Sequence, residues 1–159
     1  AGTALFRVYS ILIEMIEEII SSWREDCKLD DTELDTEALR IPNLHAKYLK
    51  MLAEHRVKLR ALRIKQKQLS QTLYDYYKGD LNNPEDLAAI KREPWPKTVL
   101  KQDMPMYVDS DEDMVKMNSK IAMQEEIVGV CEEILKSINN RGFQIKNAID
   151  WRRLTNFGT

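Results

Sequence analysis

The sequence predicts a mainly α fold with a candidate small β element in its middle, its long helices assembling into a coiled-coil-like homo-oligomeric ring. Two heptad rhythms, a scarcity of helix breakers and an uneven charge distribution carry that prediction. Five Gly and five Pro among 159 residues exclude collagen-like and loop-rich all-β classes. The net charge of −2 hides a sharp division. Residues 10–39 hold ten acids and two bases, a net of −8, whereas residues 40–67 hold nine bases and one acid, a net of +8. Asymmetry of that size says something about partners, and it excludes a protein that is basic all over.

Residues 5–23 read as an amphipathic helix, because Val8, Leu12, Met15, Ile16, Ile19 and Trp23 recur at steps of three and four. Arg7, Glu14, Glu17 and Glu18 interrupt this stretch, so neither a membrane span nor a signal peptide is expected. An acidic turn over 28–35 follows. Pro42 is then expected to open the next helix, since its missing N–H costs nothing in a first turn. That helix runs to Lys78, where Gly79 is a stop. Its seam is Tyr48, Leu52, His55, Leu59, Leu62, Gln66, Leu69, Leu73 and Tyr76, alternating steps of four and three.

Residues 80–105 carry the breakers Asn82-Asn83-Pro84 and Pro94-Trp95-Pro96. Residues 98–100 and 106–108 are the candidate strands. Ser110, with Asp113 three residues on, marks the expected start of the last helix. Met114, Met117, Ile121, Gln124, Val128, Cys131, Leu135 and Ile138 repeat the heptad rhythm there, and Met123, Ile127, Val130 and Ile134 form a second stripe beside it. Two apolar stripes need two neighbours, which a small chain is not expected to supply alone. Ile121, Met123, Ile127, Val128, Val130, Cys131, Ile134, Leu135 and Ile138 are therefore the expected oligomerisation residues. The chain is expected to divide into an N-terminal amphipathic helix (1–24), a basic helix with an irregular region (25–108) and an oligomerisation helix (109–159).

The strongest chemical signal is a cationic ridge of Arg56, Arg60, Arg63 and Lys67, flanked by Lys58 and Lys65. Lys and Arg in such a row suit phosphates; the competing reading is a solvated flank paired with acids of the N-terminal helix. Tyr74, Tyr77 and Lys78 close the helix, and Lys91, Arg92, Trp95 and Lys97 form a second aromatic–basic group. Aromatic faces that stack bases beside cations that track a backbone are the features of single-stranded nucleic-acid binding. Those thirteen residues are the candidate DNA contacts, with core or interfacial packing as the alternative for the aromatics.

Catalysis finds no support. Two histidines ten residues apart share no close face, and neither a Gly-rich phosphate loop nor an activated Ser or Cys occurs. Two cysteines, 27 and 131, are too few for a disulfide framework or a Cys-based metal site and fit a reducing cytosol. Asp109-Ser110-Asp111-Glu112-Asp113 resembles the start of a calcium loop, but Met114 and Lys120 stand where Gly and Glu are needed. The expectation is a protein that is not an enzyme, with no metal and no cofactor.

Asp75-Tyr76-Tyr77-Lys78-Gly79 after a basic heptad helix, then Lys97-Thr98-Val99-Leu100, then Arg141-Gly142-Phe143-Gln144-Ile145-Lys146 inside a long last helix, resemble the UvsY family of recombination mediators from T-even-type phages and their marine relatives. Ile41-Pro42-Asn43-Leu44-His45-Ala46-Lys47-Tyr48 adds to the likeness, which covers about residues 14–153. The resemblance implies a ring-like oligomer, heptameric in the family's known form. It also implies binding to single-stranded DNA, to a RecA-like recombinase and to a single-strand DNA-binding protein, in the cytoplasm of an infected bacterial host. Ser70-Gln71-Thr72-Leu73 are uncharged where a family member keeps bases, which shifts the expected contacts toward residues 56–67. A coiled-coil adaptor that binds only protein is the alternative.

Overall fold

The computed structural model describes residues 2–156. Five helices follow one another: α1 (Gly2–Asp26), α2 (Leu34–Lys78), α3 (Pro84–Ala89), α4 (Met104–Asp109) and α5 (Glu112–Asn156). No strand occurs among the described residues. The chain forms two compact units, one of Ala1–Lys58 with Met123–Thr159 and one of Leu59–Ala122; α2 and α5 each contribute to both.

In the first unit α1 buries Ile19 and half-buries Val8, Leu12, Met15, Ile16 and Trp23. The Trp23 ring meets Tyr48 edge-on, with centroids 5.5 Å apart. Asp26 ends α1 as a hub: Lys47 Nζ and Tyr48 Oη donate to its Oδ2 at 2.5 and 3.0 Å. Burial alone would raise the Asp26 carboxyl, but these donors hold it below the usual range. Burial pushes the Tyr48 hydroxyl up to about 12.

The second helix starts earlier than expected. It begins at Leu34, so Pro42 lies inside it. Asp35 and Glu37 occupy its first turn, where acids favour the helix N-terminus. The carbonyl that Pro42 leaves unbonded belongs to exposed Ala38, where water can reach it, so the cost of an interior proline is softened. The seam packs largely as its rhythm predicts: Tyr48, Leu52, His55, Leu59, Leu73 and Tyr76 are buried, while Leu62, Gln66 and Leu69 are half-buried. His55 is bonded to Gln124, whose Nε2 lies 3.0 Å from both His55 Nδ1 and the His55 carbonyl oxygen. Gly79 ends the helix at φ 87°. Asp80 N–H donates to the Asp75 carbonyl and Gly79 N–H to the Tyr76 carbonyl, the pair of bonds that a left-handed glycine cap provides.

The expected strands are absent. Residues 98–100 are irregular, and residues 106–108 lie in α4. Val99, Tyr107 and Val108 instead pack onto the core of the second unit, so their apolar character reflects burial rather than pairing. Ser110 is also not the start of α5. Its Oγ donates back to the Met106 carbonyl at 2.6 Å, while Asp111 Oδ1 accepts from Asp113 N–H at 2.9 Å and caps the helix.

Most of both stripes of α5 is buried within one chain. Ile127, Cys131 and Ile138 are fully enclosed in the first unit, with Val128, Ile134 and Leu135 close behind, and Ile121 is buried in the second. Met123 and Val130 are half-buried. Trp23 of α1 lines the same groove as Val130 and Ile134, so α1 is a neighbour of the second stripe. One chain thus covers most of both stripes and leaves Met123 and Val130 partly exposed. The apolar residues that α5 leaves outermost are Phe143, Trp151 and Leu154.

Candidate nucleic-acid interface

The exposed cations of α2 do not share one fate. In the first unit, Arg40 and Lys47 face Asp26, and Arg56 Nη2 lies 2.6 Å from Glu132 Oε1. The Asp26 pairings are the internal neutralisation that the competing reading foresaw, whereas the partner of Arg56, the one ridge residue among them, lies on α5 and outside the N-terminal acidic block. Lys58 is exposed at the end of that unit's part of α2. The groove of the first unit is lined by Glu126, Glu132 and Glu133, a sign of charge that repels phosphate.

In the second unit, Arg60, Arg63, Lys65 and Lys67 are exposed on α2. Among the described residues, Lys58, Arg60, Lys65 and Lys67 form no ion pair. Arg60, Arg63 and Lys67 step by three and four, so they share one face. That face continues through Ser70 and Tyr74 to Lys78, whose ammonium lies 2.8 Å from Asp80 Oδ2.

Beyond the ridge, the aromatic–basic group separates into a packed part and an exposed part. Tyr76, Tyr77, Trp95 and Tyr107 meet at centroid distances of 4.8 to 6.0 Å. Tyr77 and Tyr76 are buried in the core of the unit. Arg92 Nη1 and Nη2 bond both oxygens of Asp111 at 2.6 and 2.8 Å, and Nη2 also reaches Asp113 at 2.7 Å. Tyr77 Oη donates to Asp111 Oδ2 at 2.6 Å. The Arg92 guanidinium lies 5.1 Å from the Tyr76 ring centre. Asp111 is almost fully enclosed; burial alone would raise it, but Arg92 and Tyr77 hold its carboxyl low. Burial, then the Asp111 carboxylate, pushes the Tyr77 hydroxyl up to about 12.

Tyr77, Arg92 and Trp95 therefore hold the irregular segment onto the end of α2: the Trp95 ring is engaged by Tyr76, Tyr77 and Tyr107, the donors of Tyr77 and Arg92 are bonded to Asp111, and the Trp95 indole N–H is buried without a partner among the described residues. They were expected as DNA contacts. Alternating aromatic and basic residues look alike in a packed cluster and in a nucleic-acid surface, and only the unseen carboxylate of Asp111 distinguishes them. Lys91, at φ 55°, and Lys97 are exposed. Tyr74 is partly buried against the same core but, among the described residues, pairs with no other ring.

Beside Tyr74 the fold forms a cleft of about 300 Å³ lined by Ser70, Tyr74, Lys101, Met104, Val108 and Asp109. Lys101 and Asp109 were missed in the sequence. Ser70 and Tyr74 could have been paired by their four-residue spacing, but nothing local places Lys101 opposite them.

Among the described residues no group of three or more His, Cys, Asp or Glu side chains is gathered to hold a metal ion. No helix among the described residues is long and apolar enough to cross a membrane.

Comparisons with known proteins agree with this architecture. A family described as "Recombination, repair and ssDNA binding protein UvsY" matches residues 22–158. The recombination protein uvsY of Enterobacteria phage T4 is 23% identical over 137 residues, which is 86% of this chain and 94% of that protein. Two crystal structures of the bacteriophage T4 recombination mediator protein UvsY share the fold at 22% identity, covering 87% of this chain and 98% of theirs. The lattice type IV form has a TM-score of 0.77 and the lattice type I form 0.76.

Proposed function

The chain belongs to the UvsY family of recombination, repair and single-stranded DNA binding proteins, and from that membership we propose that it is a recombination mediator without enzymatic activity. It binds single-stranded DNA and promotes loading of a RecA-like recombinase onto strands covered by single-strand DNA-binding protein, in the cytoplasm of the infected bacterial host. The observation that carries this reading is the exposed face of α2, where Arg60 and Lys67 project as cations, with Lys65 exposed on its flank. A row of guanidinium and ammonium groups without a carboxylate partner gains most from phosphates, because each contact releases counterions.

The protein acts as a homo-oligomer, a heptameric ring by the family's form. Because most of both α5 stripes is covered inside the chain, the contacts between copies extend to Phe143, Trp151 and Leu154, the large apolar residues that α5 itself leaves outermost. Copies of a moderate site arranged in a ring hold one strand by avidity. The ring favours recombinase over its competitor by binding better to the strand conformation that the recombinase uses; without such differential affinity nothing would shift.

A recombinase-loading assay tests this reading. On single-stranded DNA pre-covered by binding protein, adding the protein should shorten the lag before recombinase ATP hydrolysis, and the Arg60→Ala, Lys67→Ala double variant should restore the lag. An unchanged lag with the wild-type protein would sink the mediator role.

The pairing of Arg56 with Glu132, and of Lys47 with Asp26, favours the adaptor reading for the first unit alone. There the cations are neutralised within the chain.

A further inference from the structure

The basic face of α2 leads directly to a cleft that no known activity of this chain uses. Tyr74 stands seven residues beyond Lys67 and four before Lys78, so a strand following the cations of α2 passes over its ring. Ser70, one turn before Tyr74, completes that wall, and Lys101, Met104, Pro105, Val108 and Asp109 form the remainder. We propose that this cleft receives one nucleobase of the bound strand, stacked on Tyr74, while Lys101 holds a neighbouring phosphate. The proposal rests on the nucleic-acid reading of α2 and adds a base-contacting site to it.

Three observations select a base as the occupant. The lining carries one cation, Lys101, and one anion, Asp109, so a phosphate inside the cleft would meet Asp109, and Lys101, which is exposed, is left for a phosphate outside it. The floor between them, Met104 and Val108, is apolar and buried, which suits a flat neutral ring. The cleft is also continuous with an exposed row of cations, so the chain that delivers the base brings its phosphates past Lys67 and Lys78. Of the tyrosines that end α2, only Tyr74 can take this part, because Tyr76 and Tyr77 are held in the aromatic cluster. Stacking of this kind tolerates every base, since each has a π-face.

The test compares a fluorescent oligo-dT with an abasic oligonucleotide of the same length and charge, using the full chain. The wild-type protein should bind oligo-dT about ten-fold more tightly than the abasic strand, a factor within the range of base–aromatic stacking. Tyr74→Leu should abolish that difference by weakening oligo-dT alone, with the salt slope unchanged, and Tyr74→Phe should restore it. Lys101→Gln should instead flatten the slope by roughly 0.7, one phosphate contact on a single strand. Equal affinity of the wild-type protein for the two strands would overturn the base site while leaving the basic face intact. So would a folded Tyr74→Leu protein that keeps the wild-type preference. Failure of the wild-type protein to bind either strand at low salt would remove the nucleic-acid reading itself, and the base site with it.

Discussion

Arg141 Nη2 lies 2.8 Å from Glu37 Oε2, deep in the first unit, and the same guanidinium donates to the carbonyls of Cys27 and Lys28 at 3.1 and 2.9 Å. One side chain of α5 therefore closes the end of α1, the turn after it and the first turn of α2. Arg141 is 4% exposed and Glu37 8%, so the pair is buried and its value lies in not being broken. The Arg141 hydrogen bond, more than any other influence, holds the Glu37 carboxyl below its ordinary range.

Arg141→Met should lower the unfolding free energy by about 3–5 kcal/mol, because it leaves Glu37 charged and unpaired in the interior. Adding Glu37→Leu should recover much of that loss. Urea unfolding of both variants checks this; a loss below about 1 kcal/mol for Arg141→Met would show that the pair is solvated.

Arg92 separates packing from DNA contact. Its guanidinium neutralises Asp111 and Asp113, so Arg92→Gln should destabilise the protein by several kcal/mol through the buried Asp111 it abandons. The salt slope of DNA binding should not change, because Arg92 is not counted among the phosphate contacts. A flatter slope in a folded Arg92→Gln protein would return this residue to the interface.

Acid should act first through His55. Burial, followed by the nearby Lys58 charge, lowers its proton affinity, and Nδ1 faces the Gln124 amide. A depressed histidine takes up its proton in the unfolded chain at a higher pH than in the folded one. Stability is therefore complete above the unfolded value, about 6.5, and falls as pH drops below it. The melting temperature should decline between pH 7 and 5, and His55→Gln should flatten the decline. Asp26, Glu37 and Asp111 are held low in the folded state, so their contribution is lost only at more acid pH.

Gly79 should resist substitution. It holds φ 87° with open space where a Cβ would stand, so Gly79→Ala meets backbone strain but no clash. The expected cost is about 1 kcal/mol, readable as a small fall in the denaturant midpoint; a neutral substitution would contradict the left-handed cap.

Much of this fold is written in short-range pattern, and what failed depends on distant partners. The heptad steps from Tyr48 to Tyr76 and from Met114 to Ile138 marked the residues that became core, because burial on a helix repeats every three or four positions. Gly79 was legible because a left-handed cap depends on one residue. Pro42 misled, since a proline favours a first turn but an exposed preceding turn tolerates it inside. The segments 98–100 and 106–108 misled because β-branched and aromatic residues serve an irregular core as well as a strand. The cations of α2 were visible as a ridge, whereas Glu132 and Asp111, which engage Arg56 and Arg92, lie 76 and 19 residues away. Lys101 faces Tyr74 only because the connection between α3 and α4 folds back.

The most direct test is a titration of the intact protein with fluorescent oligo-dT at a series of salt concentrations, alongside an Arg60→Glu, Lys67→Glu variant. The account predicts that log affinity falls linearly with log salt, with a slope of roughly −3 for about four phosphate contacts on a single strand, and that the reversal of two charges removes binding. Salt-independent binding, or a variant that binds as the parent does, would contradict an interface on α2.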